Sequence, residues 1–274
     1  TVAVYCAWEV WRAARLLPRP ERPEKTSSLA GSSQMIFMRT RAISGTRSVM
    51  ADAFKVFENK ETADLAAQIA QQKRPDVSGA APTIIDYQGD KGITLLMWAL
   101  LQGNLEAMSD LINYGADPAL GDEDGYTVLH LAAKIDNPDG LLTLLEHKVP
   151  PDLENTQTGA SPLFEAIISD RKDQFRHLLA HNANVKVQDD LGDTPLHLAA
   201  AVGVPGYVPL LLQAGADPQQ TNHLNQTFLQ LFTLTPSENL TQEALEDRTR
   251  VLTQLVRLGV NPPDFGTFGD GEAN

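Results

Sequence analysis

Cysteine is almost absent from the sequence, which has one thiol, Cys6, in 274 residues. A single thiol excludes an internal disulfide framework and any zinc site built from several cysteines. Positive charge is also scarce, because 22 lysines and arginines stand against 35 aspartates and glutamates and give a formal net charge of -13. This acidic balance argues against non-specific binding to nucleic acid or to anionic lipid.

Long apolar runs are also missing. The apolar stretch that begins at Thr1 is interrupted at Glu9, well short of the roughly 20 residues that span a bilayer. Residues 1–49 carry eight lysines and arginines against three acids and lack helical periodicity. We interpret them as an unstructured leader before a compact protein that starts near Met50; the alternative is the remnant of a membrane anchor.

No set of residues has the spacing of a catalytic or metal site. His177 and His181 are four residues apart on a predicted helix, but no third ligand and no intervening Glu accompany them, so we place both on the surface. The acids before Gly125 and Gly192 lack the further oxygen ligands of a calcium loop and are interpreted as turn formers. The sequence therefore predicts a protein that is not an enzyme and has no cofactor or metal.

A nine-residue phrase, clearest as GDTPLHLAA at 192–200, occurs five times. Its copies start at Gly92, Gly125, Gly159, Gly192 and Asn225, at a nearly constant interval of about 33 residues. Such a period is typical of a stacked array, in which neighbouring units share a buried seam. Because the outer face of such an array is extended, its default function is to bind a macromolecule.

Each copy predicts a turn, a helix, a loop and a second helix. The Gly permits a positive φ in the turn, and a hydroxyl two residues later caps the helix that follows. The second helix ends at a Gly or Asn, as at Gly215. The capping hydroxyls belong to Thr94, Thr127, Ser161, Thr194 and Thr227. The leucines that anchor the packing are Leu96, Leu129, Leu163, Leu196 and Leu229.

These residues resemble the ankyrin repeat. Residues 125–133 and 192–200 match its hallmark phrase nearly throughout, and 215–218 match its second signature. The resemblance implies an all-α fold, a solenoid of stacked helix-loop-helix units with β-turn-like connecting loops. It also implies that His130 and His197 bond the neighbouring Thr hydroxyl and the adjacent loop. The implied units are a degenerate N-terminal capping repeat at 50–85 and five repeats at about 86–118, 119–152, 153–185, 186–218 and 219–263.

The last unit departs from the pattern. The stretch from Asn225 to Gly259 is longer than the equivalent stretch from Gly192 to Gly215, which indicates an insertion after Thr233, between the unit's two helices. We interpret this unit as a variant C-terminal cap, with a protrusion that contacts the partner as the alternative. Residues 264–274 are predicted to form a flexible tail.

The resemblance implies that turn tips and the exposed side of the first helices bind a protein. The positions carried over are Asp90, Lys91, Ile93, Glu123, Asp124, Tyr126, Lys134, Gln157, Thr158, Asp190, Leu191, Asp193, His223, Leu224 and Gln226. This surface is acidic, and Tyr126, Leu191 and Leu224 are its candidate anchors. The alternative is that its carboxylates only keep the array soluble.

We therefore expect a non-enzymatic adaptor or inhibitor, located in the cytoplasm, that binds a basic protein rather than nucleic acid. Two alternatives remain at the level of the sequence. One is a bacterial toxin-neutralising or immunity protein. The other is a membrane-tethered or exported accessory protein, membrane-anchored or periplasmic, for which residues 1–25 are the only support.

Overall fold

The computed structural model describes residues 53, 55–234 and 242–257. The predicted leader at 1–49, the tail at 264–274 and most of the insertion after Thr233 lie outside these residues. The described part forms two compact units. The N-terminal unit comprises the residues up to Ala166 together with Arg171–Ala183, and the C-terminal unit comprises Ile167–Asp170 and the residues from Asn184 onward.

Helices make up the regular structure. In chain order they are α1 (Lys60–Ala70), α2 (Pro82–Ile85), α3 (Leu95–Gln102), α4 (Leu105–Asn113), α5 (Val128–Lys134), α6 (Asp139–Glu146), α7 (Pro162–Ile168), α8 (Lys172–Ala180), α9 (Pro195–Ala201), α10 (Val208–Gln213), α11 (Phe228–Leu234) and α12 (Gln242–Arg257). Short 3-10 turns occur at Asp90–Gly92 and Pro205–Tyr207. The β-structure of the described residues is limited to one isolated bridge between Thr221 and Thr227, so the predicted all-α class is confirmed.

The turn before each first helix is left-handed. The five starting residues of the repeated phrase have φ between +56° and +81°. Gly125 and Gly192 are also tightly packed, because a Cβ would come within 2.6 Å of Asn155 Oδ1 at the former and 2.7 Å of the His223 backbone nitrogen at the latter. Glycine is needed at these two turns for conformation and for space.

The first helices are buried around the repeated leucines. All five anchoring leucines are at most 4% exposed, as the pattern predicts. Full burial of a leucine side chain contributes roughly 1.5–3 kcal/mol. The second helices bury one face only: α4, for example, covers Met108 and Leu111 but leaves Glu106 in solvent. Each pair therefore has an inner helix and an amphipathic outer one.

The capping hydroxyls of the first and fourth repeats act as the sequence predicts, although the third residue after the hydroxyl is Met97 in one and His197 in the other. Thr94 Oγ1 accepts the N–H of Met97 at 3.2 Å, and Thr194 Oγ1 accepts the N–H of His197 at 3.4 Å. Ser161, in the corresponding slot of the third repeat, has a buried hydroxyl with no hydrogen-bond partner, and Phe164 stands where the second and fourth repeats have His. The loss of the imidazole removes the partner that this hydroxyl would use.

The two hallmark histidines tie neighbouring repeats together. His130 Nε2 donates to the carbonyl oxygen of Ala160 at 2.9 Å, and its Nδ1 accepts from the Thr127 hydroxyl at 2.8 Å. The corresponding distances for His197 are 2.8 Å to the Gln226 carbonyl and 2.7 Å to the Thr194 hydroxyl. This geometry confirms their implied structural role. Burial lowers the pKa of His130 to about 4, so the imidazole is neutral at physiological pH.

Helix α1 packs against the start of the first full repeat. Trp98 Nε1 donates to the Ala66 carbonyl at 2.9 Å, and Asn104 Nδ2 donates to the Ile69 carbonyl at 3.0 Å. The ring of Phe57 meets that of Trp98 edge-on with centroids 6.0 Å apart. Trp98, which departs from the family phrase, is therefore one of the side chains that join α1 to the first full repeat.

Candidate protein-binding surface

The turns of the array carry exposed dipeptides, which we call tips. Each follows the first residue of its turn. The tips that we compare are residues 90–91 and 123–124 in the N-terminal unit, with Gln157 of the third turn beside them, and residues 190–191 and 223–224 in the C-terminal unit.

In every turn except the first, where Gly89 occupies the position, an Asp or Asn side chain at the first turn position fixes the backbone of the tip. Asp122 Oδ1 accepts the N–H groups of Asp124 at 3.0 Å and Tyr126 at 2.9 Å. Asn222 Oδ1 accepts those of Leu224 and Gln226, both at 3.0 Å. The acids before the turn glycines are thus turn formers, as predicted, and the tip conformation depends on backbone groups rather than on tip side chains.

Successive tips are joined by hydrogen bonds in the N-terminal unit. The N–H of Glu123 donates to the Lys91 carbonyl at 3.0 Å. Asn155 Nδ2 donates to the Asp124 carbonyl at 3.1 Å, and Gln157 Nε2 donates to the Glu123 carbonyl. These bonds hold the three turns side by side.

The tips of the N-terminal unit are mainly acidic. Asp90, Glu123 and Asp124 are exposed, as is Gln157, whereas Lys91 is half-buried. The structure therefore brings together the tip residues predicted for this unit and presents three carboxylates on two adjacent tips.

Tyr126 and Lys134 lie beside the acidic tips as a fixed pair. Lys134 Nζ is 5.5 Å from the centroid of the Tyr126 ring, within the range of a cation–π contact. The same ring meets that of His130 edge-on, with centroids 6.0 Å apart. Both predicted residues are half-buried, so the partly accessible ring is held against a buried imidazole.

Asp122, beneath this surface, has a perturbed carboxyl. Burial raises its pKa to about 6, and the charge of Asp124 acts in the same direction. The N–H groups of Tyr126 and Asp124 oppose the shift by stabilising the carboxylate. The turn therefore has a titratable group whose midpoint lies just below physiological pH.

The tips of the C-terminal unit have a different chemistry. The N–H of His223 donates to the Leu191 carbonyl at 3.0 Å, the same bond that joins Glu123 to Lys91 in the other unit. Asp190, His223 and Leu224 are exposed, and Leu191 is half-buried together with Gln226. The structure thus brings together five of the six residues predicted here.

The sixth residue, Asp193, is wrongly predicted as a surface contact. Its side chain is 9% exposed and accepts Asn222 Nδ2 at 2.8 Å. Ile93, one position after the first turn glycine, is buried as well, at 5% exposure. Both residues directly follow a turn glycine and lead into the cap of the first helix, and their side chains face protein, whereas Tyr126 in the same position is half-buried.

Two glutamines that brace the turns were missed from the sequence. Gln88 Nε2 donates to the Gly121 carbonyl at 2.8 Å, and Gln188 Nε2 donates to the Gly192 carbonyl at 2.7 Å and the Thr221 carbonyl at 3.1 Å. Each stands four residues before a turn glycine. This shared register is the signal that would have identified them.

Other chemistry finds little support in the described residues. They contain no group of three or more metal-ligating side chains, and His181 Nδ1 lies 2.8 Å from the His177 carbonyl. An open pocket of about 550 Å³ is lined by α1, Asp76 and residues 78–80. None of the described helices has the length and apolarity needed to cross a membrane.

Known proteins share the repeat pattern. A family model described as "Ankyrin repeats (3 copies)" matches residues 64–155 and 136–222, more than half of the chain. Protein PhlB of Serratia liquefaciens is 36% identical over 157 residues, which are 56% of this chain and 68% of PhlB. The putative palmitoyltransferase ZDHHC13 of Danio rerio is 30% identical over 233 residues, which are 79% of this chain and 36% of that protein.

Two further similarities concern Bcl-3. The B-cell lymphoma 3 protein homolog of Mus musculus is 31% identical over 151 residues, which are 55% of this chain and 34% of that relative. The chain therefore spans about a third of the length of this protein and of the Danio relative. The crystal structure of the ankyrin repeat domain of Bcl-3 aligns with a TM-score of 0.58 at 22% identity, covering 80% of this chain and 99% of that domain, and shows a shared fold. The repeated phrase, the helix pairs and these matches establish that the chain belongs to the ankyrin-repeat family.

Proposed function

We propose that the protein is a non-enzymatic adaptor or inhibitor that binds a basic partner protein through its turn tips. Ankyrin repeats generally mediate binding between proteins, and the stacked array supplies an extended surface for it. The acidic tips of the N-terminal unit are the observation that carries the proposal. Asp90, Glu123 and Asp124 expose three carboxylates on adjacent, hydrogen-bonded turns.

Those carboxylates are available for recognition. Ion pairs join Arg74 to Asp110, Arg171 to Asp136, and Arg176 to Asp173, and none of these pairs uses one of the three tip acids. Opposite charge on a partner speeds its approach and orients it, while partly apolar groups such as Tyr126 supply contact area. A partner that carries lysines or arginines around a patch able to bind an aromatic ring would match both the carboxylates and Tyr126.

A charge-removal experiment tests the proposal. The full chain and the triple variant D90N/E123Q/D124N are used to capture partners from a lysate of the source organism, and the affinity for a recovered partner is then measured. We expect the triple variant to bind at least tenfold more weakly, because it lacks the three charges that attract a basic partner. A tenfold loss corresponds to about 1.4 kcal/mol of binding free energy. The wild-type affinity is also expected to fall between about 50 and 300 mM salt, because salt screens exposed charges.

A matched control removes three carboxylates elsewhere. Glu58, Glu106 and Glu146 are exposed acids outside the tips, so E58Q/E106Q/E146Q changes the net charge by the same amount. Affinity that falls equally in both triple variants would assign the effect to net charge and contradict a site at the tips.

A toxin-neutralising role in a bacterium is the second candidate. The observation that favours it is the match to a bacterial protein, PhlB, over 68% of that protein's length. Co-expression with the product of an adjacent gene tests it. Rescue of growth from a toxic product supports the role, and binding partners with no toxicity argue against it.

A further inference from the structure

The second residue of the tip is charged in the N-terminal unit and apolar in the C-terminal unit. Lys91 and Asp124 occupy it in the N-terminal unit, whereas Leu191 and Leu224 occupy it in the C-terminal unit. The backbone bonds that close the turn are the same in each case, although Lys91 alone among the four has a positive φ, +60°. The leucines therefore stand where the equivalent turns carry charge.

Neither leucine is required by its turn. The N–H of Leu191 donates to Asp189 Oδ1 at 2.8 Å, and that of Leu224 donates to Asn222 Oδ1 at 3.0 Å. Both bonds use the backbone and would form with most side chains. Leu224 is 75% exposed, more than Tyr114 at 51% or Val256 at 56%, the other large exposed hydrophobics of the described residues. Its side chain contributes little to the core.

The two leucines are held on neighbouring turns. The bond between the His223 N–H and the Leu191 carbonyl joins the residue preceding Leu224 to Leu191 itself. Gln188 also joins the two turns, because its side-chain amide donates to the carbonyls of Gly192 and Thr221. An apolar pair on a fixed backbone binds with little loss of loop entropy, which is the advantage of a preorganised contact.

Charge beside the pair indicates what it accepts. Asp190 is exposed and precedes Leu191 in the chain. The buried neighbour Asp193 already accepts from Asn222 and leaves no side chain at the surface. A complementary partner segment has an apolar side chain for the leucines and a Lys or Arg for Asp190.

We propose that Leu191 and Leu224 form an apolar anchor, flanked by Asp190, that binds a partner segment in which an apolar side chain neighbours a Lys or Arg. This inference rests on the proposed function, because it assumes binding at the tips. It narrows the partner to an amphipathic basic segment, as distinct from a polybasic tail whose contacts are charges alone.

A displayed library of random twelve-residue peptides is the probe. Peptides enriched on the full chain are synthesised, and their dissociation constants are measured for wild type, L191S/L224S, Y114S and D90N/E123Q/D124N. We expect enriched peptides to pair an aliphatic or aromatic residue with Lys or Arg. We expect L191S/L224S to weaken their binding roughly 10- to 100-fold, the range in which single interface anchors act, and Y114S to leave it unchanged.

The outcomes separate the two proposals. Peptides that ignore L191S/L224S but are lost with D90N/E123Q/D124N overturn the apolar anchor and leave the proposed function standing. Enrichment of basic peptides without an apolar residue, or no enrichment, also overturns the anchor, while capture through the acidic tips remains a separate measurement. L224K alone repeats the test at the more exposed leucine should the double variant unfold, which its melting temperature reveals.

Discussion

The N-terminal and C-terminal units build the same turn and offer different surfaces. In the first, the bond from Glu123 to the Lys91 carbonyl joins two charged tips; in the second, the bond from His223 to the Leu191 carbonyl joins tips that each carry a leucine. In each unit an Asp or Asn fixes the backbone of a tip: Asp122 does so for 123–124 and Asn222 for 223–224. The residues that hold the array and those that differ at its surface are therefore separate sets.

The largest effect is expected from filling the space at a turn glycine. G192A places a Cβ 2.7 Å from the His223 backbone in a left-handed residue, so we expect a loss of about 2–4 kcal/mol in the free energy of unfolding, from strain plus overpacking. G125A should act similarly in the other unit. Urea denaturation measures both.

G215A is the control for the turn glycines. Gly215 has φ +91° but no atom within 4 Å of a Cβ, so it reports backbone strain without a clash, about 1 kcal/mol. Equal losses for G192A and G215A would show that the tips are not closely packed.

The pH dependence of stability should carry the signature of His130. Its folded pKa of about 4 lies below the unfolded value of 6.5, so its stabilising effect is complete above pH 6.5 and is lost as pH falls toward 4. The loss is on the order of 3 kcal/mol. Comparing the urea stability of wild type and H130Q from pH 7 to pH 4 measures it.

The exposed His223 provides the matched comparison, through H223Q. We expect H223Q to retain the wild-type slope between pH 7 and pH 4, and H130Q to flatten it. A slope unchanged in H130Q would mean that the buried imidazole titrates normally.

A smaller effect of opposite sign is expected at Asp122. The folded pKa of Asp122, about 6, exceeds the usual 3.8. The protonated carboxyl therefore contributes its full share of the free energy of unfolding below about pH 4, and this contribution is lost as pH rises through 6. D122N should therefore gain about 1–2 kcal/mol at pH 7 relative to wild type, after discounting for partial exposure, and nothing at pH 4.

The chain itself supports D122N as a tolerated change. Asn222 occupies the same position in the last repeat and accepts the N–H groups of the equivalent two residues, and Asn155 accepts the N–H two residues later, as Asp122 does. D76N is the control, since Asp76 is an exposed acid whose pKa is lowered by bonds from Ser78. A loss of stability in D122N at pH 7 would contradict the expected cost of the buried charge.

The smallest effect separates two helix caps. T194A should cost about 1 kcal/mol, because the hydroxyl accepts an N–H and contacts His197. S161A should be neutral or slightly stabilising, since the buried Ser161 hydroxyl has no partner. Thermal unfolding of the two variants compares them, and equal losses would indicate that Ser161 is capped in solution.

The local features of the array were predictable from the sequence. Glycine at a positive φ, a hydroxyl at a helix start and a leucine at each inner face depend on a few neighbouring residues. The structure confirms the glycine and leucine patterns; the hydroxyl caps the helix at Thr94 and Thr194 but not at Ser161. The roles of His130 and His197 followed from the family resemblance, which carried information about contacts with the next repeat.

Contacts between turns were harder to predict. Asp193 and Asp190 are both acids near one glycine, yet only Asp193 is buried, because Asn222 of the next turn meets it. The bracing role of Gln188 likewise depends on a carbonyl from the following repeat. Such assignments need the stacking register, which composition and spacing within one repeat do not contain.

The backbone bond between neighbouring tips has a consequence for how such proteins diversify. Because it joins an N–H to a carbonyl in both units, it places no demand on the identity of the two residues involved. The two residues of a tip can therefore be exchanged between turns. The variant E123D/D124L, which copies the pair at 190–191, should fold as the wild type does while presenting a different tip surface. Under the proposed function, such an exchange would change the binding preference two residues at a time without disturbing the fold.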